Sequence, residues 1–157
     1  ESSRVRCDLQ QVAERLLAEL APAAMRETTT LALEARGPIV ASGDAALLEA
    51  VLRNLVDNAI RHGGSGTDVR VALTADAHGV VVAVEDSGSG VADADLERLG
   101  QRFHRAADAR ADGSGLGLSI VARIVGLHHG TVRYTRGARG RGLRVEIRLP
   151  AASPLRL

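Results

Sequence analysis

Three short segments of this sequence combine polar side chains and glycines at spacings that suit the binding of a phosphorylated ligand. In the first, NLVDNAIRHG (54–63), the side chains of Asn54, Asp57, Asn58 and Arg61 recur every three or four residues. Because an α-helix turns once in about 3.6 residues, these side chains share one helical face. Asparagine is a poor former of helix interiors, and its carbonyl oxygen is a hard ligand of the kind that Mg²⁺ prefers. A metal or phosphate contact is therefore one interpretation of this face, and a solvated polar face is the other.

The second segment, VVVAVEDSGSGV (80–91), is an apolar run that ends at Asp86 and continues through Gly88 and Gly90. A carboxylate at the end of a buried strand can accept a hydrogen bond from the amino group of a base, and glycines let the backbone approach a ring closely. The same residues are also common in ordinary turns. Both interpretations remain open on this segment alone.

The third segment, GQRFHRAADARADGSGLGL (100–118), is polar and rich in arginine before glycines alternate at its end. A glycine cluster that opens onto a helix brings backbone N–H groups close to phosphate. The segment is not a P-loop, because no Gly-Lys-Ser/Thr follows, and Leu118 occupies the third-glycine position of a dinucleotide fingerprint. A loop of this length in a compact domain is more typical of a lid than of a passive connection. We therefore predict a mobile lid over residues 101–114, with a plain surface loop as the alternative.

The elements that must position these segments follow from hydrophobic spacing, which predicts the order β-α-β-β-α-β-β-α-α-β-β. Asp8 and Asp44 are the expected N-caps of the first two helices, Ala21 and Pro22 are expected to close the first, and Gly130 is expected to cap the last. Strand hairpins interspersed with helices predict an α+β two-layer sandwich, with a mixed, mostly antiparallel sheet and helices on one face. The predicted strands are 5–9, 28–35, 38–42, 69–75, 80–86, 131–136 and 143–150, and the predicted helices are 9–20, 44–62, 92–100 and 116–129.

Composition limits the functional classes. The 157 residues suit one domain with one core, and 20 basic against 19 acidic residues leave a formal charge of only +1. Aromatic residues make up 1% of the chain, so stacking platforms for nucleic-acid bases are not available. The chain has one cysteine and no apolar run of about 18 residues. We therefore expect a soluble domain without an internal disulfide, without nucleic-acid partners and without direct membrane contact.

Taken in order, the three segments resemble the ATP-binding motifs of sensor histidine kinases, a family that shares its Bergerat nucleotide fold with gyrase B, Hsp90 and MutL. NLVDNAIRHG resembles the N box, EDSGSGV the G1 box, QRFHRA the F box and GSGLGLSIVARIVGLHHG the G2 box. The resemblance covers essentially the whole chain. It implies a single catalytic and ATP-binding domain over residues 1–157, with its core at about 4–150 and an ATP lid at 101–114.

The resemblance also implies ATP and Mg²⁺ as cofactors and a role for each matched position. Asn58, with Asn54 beside it, would hold Mg²⁺, and Asp86 would accept a hydrogen bond from the adenine amino group with Gly88 and Gly90 close to the ring. The other implied contacts are Arg61 with phosphate, His62 with adenine or ribose, Arg102 and Arg105 with the β- and γ-phosphates, and Gly113, Ser114, Gly115, Leu116, Gly117 and Leu118 around the triphosphate. The candidate catalytic residues are Asn54, Arg61, Arg102 and Arg105.

The identity of residue 54 distinguishes ATP hydrolysis from phosphoryl transfer to a protein. Hydrolases of this superfamily carry a glutamate four residues before the metal-binding asparagine, and an amide at that position cannot act as a general base at neutral pH. The resemblance therefore implies transfer of the γ-phosphoryl group to a protein histidine. A GHKL-type ATPase, an anti-sigma-factor-like serine kinase and a nucleotide-binding module without transfer activity are the alternatives.

None of the five histidines has the His-Glu-Leu-Arg-Thr-Pro context of a phosphoacceptor. The acceptor is therefore expected on a dimerisation domain that this chain lacks, with a response regulator as an indirect partner. We expect the isolated domain to be monomeric and unable to phosphorylate itself on the acceptor histidine. The resemblance places it as a cytoplasmic domain of an inner-membrane sensor protein.

Overall fold

The computed structural model describes residues 5–102 and 114–151, and its elements follow the predicted order. The strands are Val5–Asp8 (β1), Thr30–Ala35 (β2), Val40–Gly43 (β3), Asp68–Asp76 (β4), Gly79–Asp86 (β5), Thr131–Arg136 (β6) and Leu143–Pro150 (β7). The helices are Leu9–Arg26 (α1), Ala45–Gly63 (α2), Asp93–Arg102 (α3) and Ser114–Leu127 (α4), with a short 3₁₀ turn at Ala138–Gly140.

The main sheet has five strands in the order β2-β4-β5-β7-β6. β2 pairs parallel with β4, and the other neighbours are antiparallel. β1 and β3 form a separate antiparallel pair. The predicted mixed, mostly antiparallel sheet is confirmed.

The two faces of the sheet differ in polarity. On β4, Val69 and Val71 are buried in the core, whereas Arg70 points to the opposite face and pairs with Glu34 of β2 at 3.5 Å. The buried positions of α2 and α4, among them Leu52 and Val121, belong to the same core as the β4 valines. The charged face of the sheet remains solvated, and the helices pack against the apolar face only. This arrangement is the predicted two-layer sandwich.

The predicted end of α1 at Ala21 and Pro22 was wrong, because the helix continues to Arg26 with Pro22 inside it. Proline removes one backbone donor from a helix, but alanine and methionine favour helix in the positions that follow. Ala24 is also buried, which ties the last turn to the core. The helix closes where the Glu27 N–H donates to the carbonyl oxygen of Ala24 at 3.1 Å.

Gly130 takes part in the predicted cap of α4, but His129 adopts the left-handed conformation, with φ of 58°. The His129 N–H donates to Gly126 O at 3.0 Å and the Gly130 N–H to Val125 O at 2.9 Å, which is the Schellman arrangement. Glycine is required at position 130 for space, because a Cβ there would lie 2.5 Å from the carbonyl oxygen of Arg148.

His128 joins the end of α4 to the start of α2. Its Nδ1 lies 2.8 Å from Ile124 O, and its Nε2 accepts the Asp44 N–H at 3.2 Å. Asp44 is the N-cap of α2 and accepts the Leu47 N–H at 3.1 Å. The imidazole therefore links the C-terminal end of α4 to the N-terminal end of α2.

We expect His128→Ala to lower the free energy of unfolding by about 1–2 kcal/mol, because a half-buried backbone N–H loses its acceptor. Urea denaturation measures this change. His78→Ala is the matched control, since His78 is exposed in the β4–β5 turn and, among the described residues, only its backbone is hydrogen-bonded, to Asp76. Equal loss of stability in the two variants would contradict the role assigned to His128.

Candidate functional site

The C-terminal half of α2 carries the two asparagines singled out in the sequence, and both are half-buried. Asn54 Nδ2 donates to Ala50 O at 2.7 Å, so its Oδ1 is the atom left for a ligand. The first turn of α4 lies against this amide, because a Cβ on Gly117 would stand 3.2 Å from Asn54 Oδ1. The structure thus brings the asparagine helix and the glycine-rich helix start together.

Arg61 and His62 occupy the last turn of α2, where both are exposed. Arg61 Nε lies 3.3 Å from Asp57 Oδ2, one helical turn away. An exposed pair of this spacing contributes only a few tenths of a kcal/mol, so an anionic ligand competes for Arg61 at little cost.

Asp86 is a buried carboxylate at the end of β5, with 6% of its surface exposed. Its Oδ1 accepts the Gly88 N–H at 2.9 Å. Burial raises the pKa of Asp86, while the N–H groups of Gly88 and Leu143 and the charge of His62 favour the ionised form. Within residues 5–102 and 114–151, no basic side chain forms an ion pair with it. The carboxylate is therefore held by backbone donors and keeps acceptor capacity for a ligand.

Glycines let the backbone behind Asp86 approach two other segments. A Cβ on Gly88 would lie 2.7 Å from the Cα of Gly63, so the end of α2 touches the loop that follows β5. Gly90 has φ of +73°, and a Cβ there would lie 2.8 Å from Gly142 O. Side chains at these positions would separate α2, β5 and the β6–β7 loop.

A polar cleft of about 390 Å³ opens between the end of α2, the β5 loop and the β6–β7 loop. Asp86 does not line it, but Ser87 and Gly88, the two residues that directly follow Asp86, do. This volume lies at the lower end of the range of roughly 300–1,000 Å³ that is usual for small-molecule sites. Hydroxyl side chains and backbone dominate the wall, and its lining residues are Gly63, Thr67, Ser87, Gly88, Ser89, Gly140 and Arg141.

The start of α4 provides a second polar region. α4 begins at Ser114, so Gly115, Leu116 and Gly117 lie in its first turn. N–H groups in the first turn of a helix have no partner within the helix, and the helix dipole favours an anion there. The Leu118 side chain is buried in the core, so only its backbone faces this region.

The remaining predicted residues lie at the edge of the described structure or beyond it. Arg102 is the last residue of α3. Arg105 and Gly113, and all of residues 103–113 of the predicted lid, fall outside residues 5–102 and 114–151, whereas Ser114, its last residue, begins α4. Their roles stay predictions.

Sequence reasoning missed the contribution of the β6–β7 loop. The stretch GARGRG (137–142) was interpreted as a simple hairpin turn, yet Gly140 and Arg141 form part of the cleft wall. Thr67, Ser87 and Ser89 were also missed. The available signal for a ligand contact was an arginine with one glycine on each side, but ordinary hairpin turns contain the same residue types.

Residues 5–102 and 114–151 contain neither a carboxylate-rich metal cluster nor a membrane-spanning helix. No group of three or more His, Cys, Asp or Glu side chains there is arranged to hold a metal ion. No helix in the same residues combines the length and apolar character needed to cross a membrane.

The sequence profile described as "Histidine kinase-, DNA gyrase B-, and HSP90-like ATPase" matches residues 43–153. The sensor protein kinase PmrB of Pseudomonas aeruginosa is 37% identical over 148 residues, which are 94% of this chain and 31% of PmrB. The sensor protein BasS of Escherichia coli is 42% identical over 124 residues, which are 79% of this chain and 34% of BasS. The chain thus spans about a third of the length of these curated relatives.

Solved structures with the same fold include the ATP-binding domain of PrrB from Mycobacterium tuberculosis, with a TM-score of 0.76 and 27% identity over 96% of this chain and 99% of that domain. The catalytic domain of the histidine kinase ThkA has a TM-score of 0.80 over 94% of this chain and 96% of that domain. Its 20% identity supports the likeness of fold alone.

Proposed function

Because this chain belongs to the histidine kinase-, DNA gyrase B- and HSP90-like ATPase family, we propose that it binds Mg-ATP and transfers the γ-phosphoryl group to a histidine of a separate domain. Its relatives PmrB and BasS are named sensor proteins, and it is an ATP-binding catalytic domain of the histidine kinase type. The observation that carries the proposal is Asp86, a buried carboxylate with free acceptor capacity that is followed directly by two residues of the cleft wall, Ser87 and Gly88.

Asp86 recognises the adenine base. Its side chain is oriented by the N–H groups of Gly88 and Leu143, so no reorganisation is needed when a base donates its amino hydrogen. A hydrogen bond to an ionised acceptor is stronger than a neutral one, and the buried position removes competition from water. Because Gly88 and Gly90 have no side chain, the adenine ring can approach the backbone closely.

The phosphates extend from this cleft toward the junction of α2 and α4. The amide oxygens of Asn58 and Asn54 would hold Mg²⁺, a role that suits hard oxygen donors completed by phosphate and water. When bound, the ion neutralises phosphate charge and orients the γ-phosphoryl group. The N–H groups at the start of α4 and the guanidinium of Arg61 bind phosphate oxygens, and Arg102 and Arg105 would approach the terminal phosphates from the lid.

The reaction is transfer to a protein acceptor rather than hydrolysis. Asn54 stands where a water-activating carboxylate would be needed, and its Nδ2 is already committed to Ala50 O. An amide cannot take a proton from water at neutral pH, so water bound nearby remains a poor nucleophile. The nucleophile is an incoming histidine, whose imidazole needs no added base to attack.

The chain spans about a third of its curated relatives, so the acceptor histidine is assigned to a dimerisation domain in the remaining part of such a protein. A response regulator then receives the phosphoryl group from that histidine. The isolated domain is expected to be monomeric, and the full-length protein is assigned to the inner membrane with this domain in the cytoplasm.

Phosphoryl transfer can be tested by mixing the chain with Mg²⁺, radiolabelled ATP and a purified dimerisation domain that carries the acceptor histidine. We expect an acid-labile phosphohistidine that forms only when chain, metal and acceptor are all present. Asn58→Ala should abolish labelling, and Gly126→Ala, on an open surface of α4, should retain it. Rapid phosphate release without an acceptor would instead indicate an ATPase, and an acid-stable phosphoserine would indicate a serine kinase.

A further inference from the structure

The loop between β6 and β7, residues 137–142, is anchored to the strand end that carries Asp86. The Ala138 N–H donates to the Glu85 carboxylate, and the Gly137 N–H donates to Gly142 O at 3.2 Å. Directly after the loop, the Leu143 N–H donates to the Asp86 carboxylate. The loop is therefore closed by one internal hydrogen bond, and it and the residue that follows it are tied to the end of β5 at two points, Glu85 and Asp86.

Arg141 sits in this loop between two left-handed glycines, Gly140 with φ of +69° and Gly142 with φ of +72°. A Cβ on Gly142 would collide with the carbonyl oxygen of Asp86, so the loop backbone presses directly on β5. This contact brings Arg141 to the wall of the cleft.

Arg141 differs from Arg136 and Arg144, the arginines on the two flanking strands, because it forms no ion pair with a described residue. Arg136 pairs with Asp93 at 2.8 Å, and Arg144 pairs with Glu85 at 3.4 Å. Over the residues that the structure describes, no carboxylate forms an ion pair with Arg141, although its side chain is exposed. An unpaired guanidinium at a cleft is available for a ligand.

Among the described residues that line the cleft, Arg141 is also the only one with a planar side-chain group, since the others are glycine, serine and threonine. The whole sequence has two aromatic residues, Phe103 and Tyr134. Tyr134 packs against the core rather than lining the cleft, and Phe103 lies outside the described residues. A base in this cleft therefore has Arg141 as its one flat partner among the described residues, and guanidinium groups stack well on aromatic rings.

We propose that Arg141 is a base-contacting residue whose guanidinium stacks on the purine ring held by Asp86. The inference rests on the proposed binding of ATP. It assigns Arg141 to the base rather than the phosphates, because Leu143, directly after the loop, is bonded to Asp86, whereas α4, which supplies the phosphate contacts, contributes none of the described residues of the cleft wall.

The test compares the affinities of wild type, Arg141→Ala and Arg141→Lys for ATP and for ADP, measured by calorimetry with Mg²⁺. Arg141→Ala should weaken binding of both nucleotides by about fivefold, the size expected for loss of a cation–π contact. Lysine keeps the charge but lacks the planar group, so Arg141→Lys should lose most of the same affinity. Arg133→Ala is the control, because Arg133 is exposed on β6 and does not line the cleft.

Three results would overturn the inference while leaving ATP binding intact. The first is unchanged nucleotide affinity in Arg141→Ala. The second is full affinity in Arg141→Lys, and the third is a loss of affinity in Arg141→Ala for ATP but not for ADP. The second and third results would indicate that Arg141 contacts a phosphate. A folded wild-type chain that binds neither nucleotide would overturn the proposed function, and this inference with it.

Discussion

Asp86→Asn should weaken ATP binding by about tenfold or more. The variant replaces a carboxylate by an amide of nearly the same shape, so the adenine amino group loses a charged acceptor. A hydrogen bond to a charged group contributes about 1.5–3 kcal/mol, which corresponds to a factor of ten or more in affinity. Calorimetric titration with Mg-ATP measures the change. Asp76→Asn is the matched control, since Asp76 is an exposed carboxylate at the end of β4.

The same variant should not lose folding stability. Burial raises the folded-state pKa of Asp86, so its contribution to stability is present at acidic pH and is lost as the pH rises through that raised pKa. Asparagine stays neutral throughout. The free energy of unfolding of the variant relative to wild type should therefore increase as the pH rises from about 4, near the ordinary aspartate pKa, to 7.

Nucleotide affinity should depend on pH in the opposite sense. In wild type it should fall as the pH is lowered through the raised pKa of Asp86, because the protonated carboxyl is a weaker acceptor. In Asp86→Asn, the part of the pH dependence that comes from Asp86 should be absent, so affinity should fall less than in wild type over that window. Unchanged ATP affinity in the variant at neutral pH would contradict the assignment of Asp86 to adenine.

Gly88→Ala should destabilise the fold by about 2–3 kcal/mol and abolish nucleotide binding, whereas Gly126→Ala should stabilise it by about 0.5–1 kcal/mol. A Cβ on Gly88 would lie 2.7 Å from Gly63 Cα, so two backbone segments must separate. A Cβ on Gly126 meets nothing within 4 Å, and alanine is the better helix former at this position in α4.

Urea denaturation measures the change in the free energy of unfolding of each variant relative to wild type. Titration with ATP shows whether each variant still binds nucleotide. The opposite signs separate a steric requirement for glycine from a general effect of adding a methyl group. If Gly88→Ala kept wild-type stability and affinity, the close contact between the end of α2 and the β5 loop would be wrong.

The local parts of this fold were predictable from sequence. The side chains of Asp8 and Asp44 accept N–H groups in the first turns of α1 and α2, as predicted, because capping depends on residues within one turn. The bounds of β6 and β7 agree with the prediction because alternation of apolar and polar residues is itself a local signal. The family was predictable for the same reason, since each of its motifs is a short contiguous segment.

Pro22 shows where local reasoning fails. The rule that proline ends a helix was outweighed by a buried Ala24 in the following turn, and burial depends on what the rest of the chain brings to that position. The parallel pairing of β2 with β4 has the same origin, because no local pattern specifies which strands meet.

By itself, the sequence determined the chemistry available to this protein, which comprises two amides on one helical face, a strand-end carboxylate followed by glycines, and a glycine-rich helix start. Only the tertiary structure decided that the β6–β7 loop completes the cleft and that Arg141 lies beside the end of β5. The physical reason is that Asp86 and Arg141 are far apart along the chain. They come together through β5–β7 pairing and the close contact at Gly142, which are long-range packing events that no local pattern encodes.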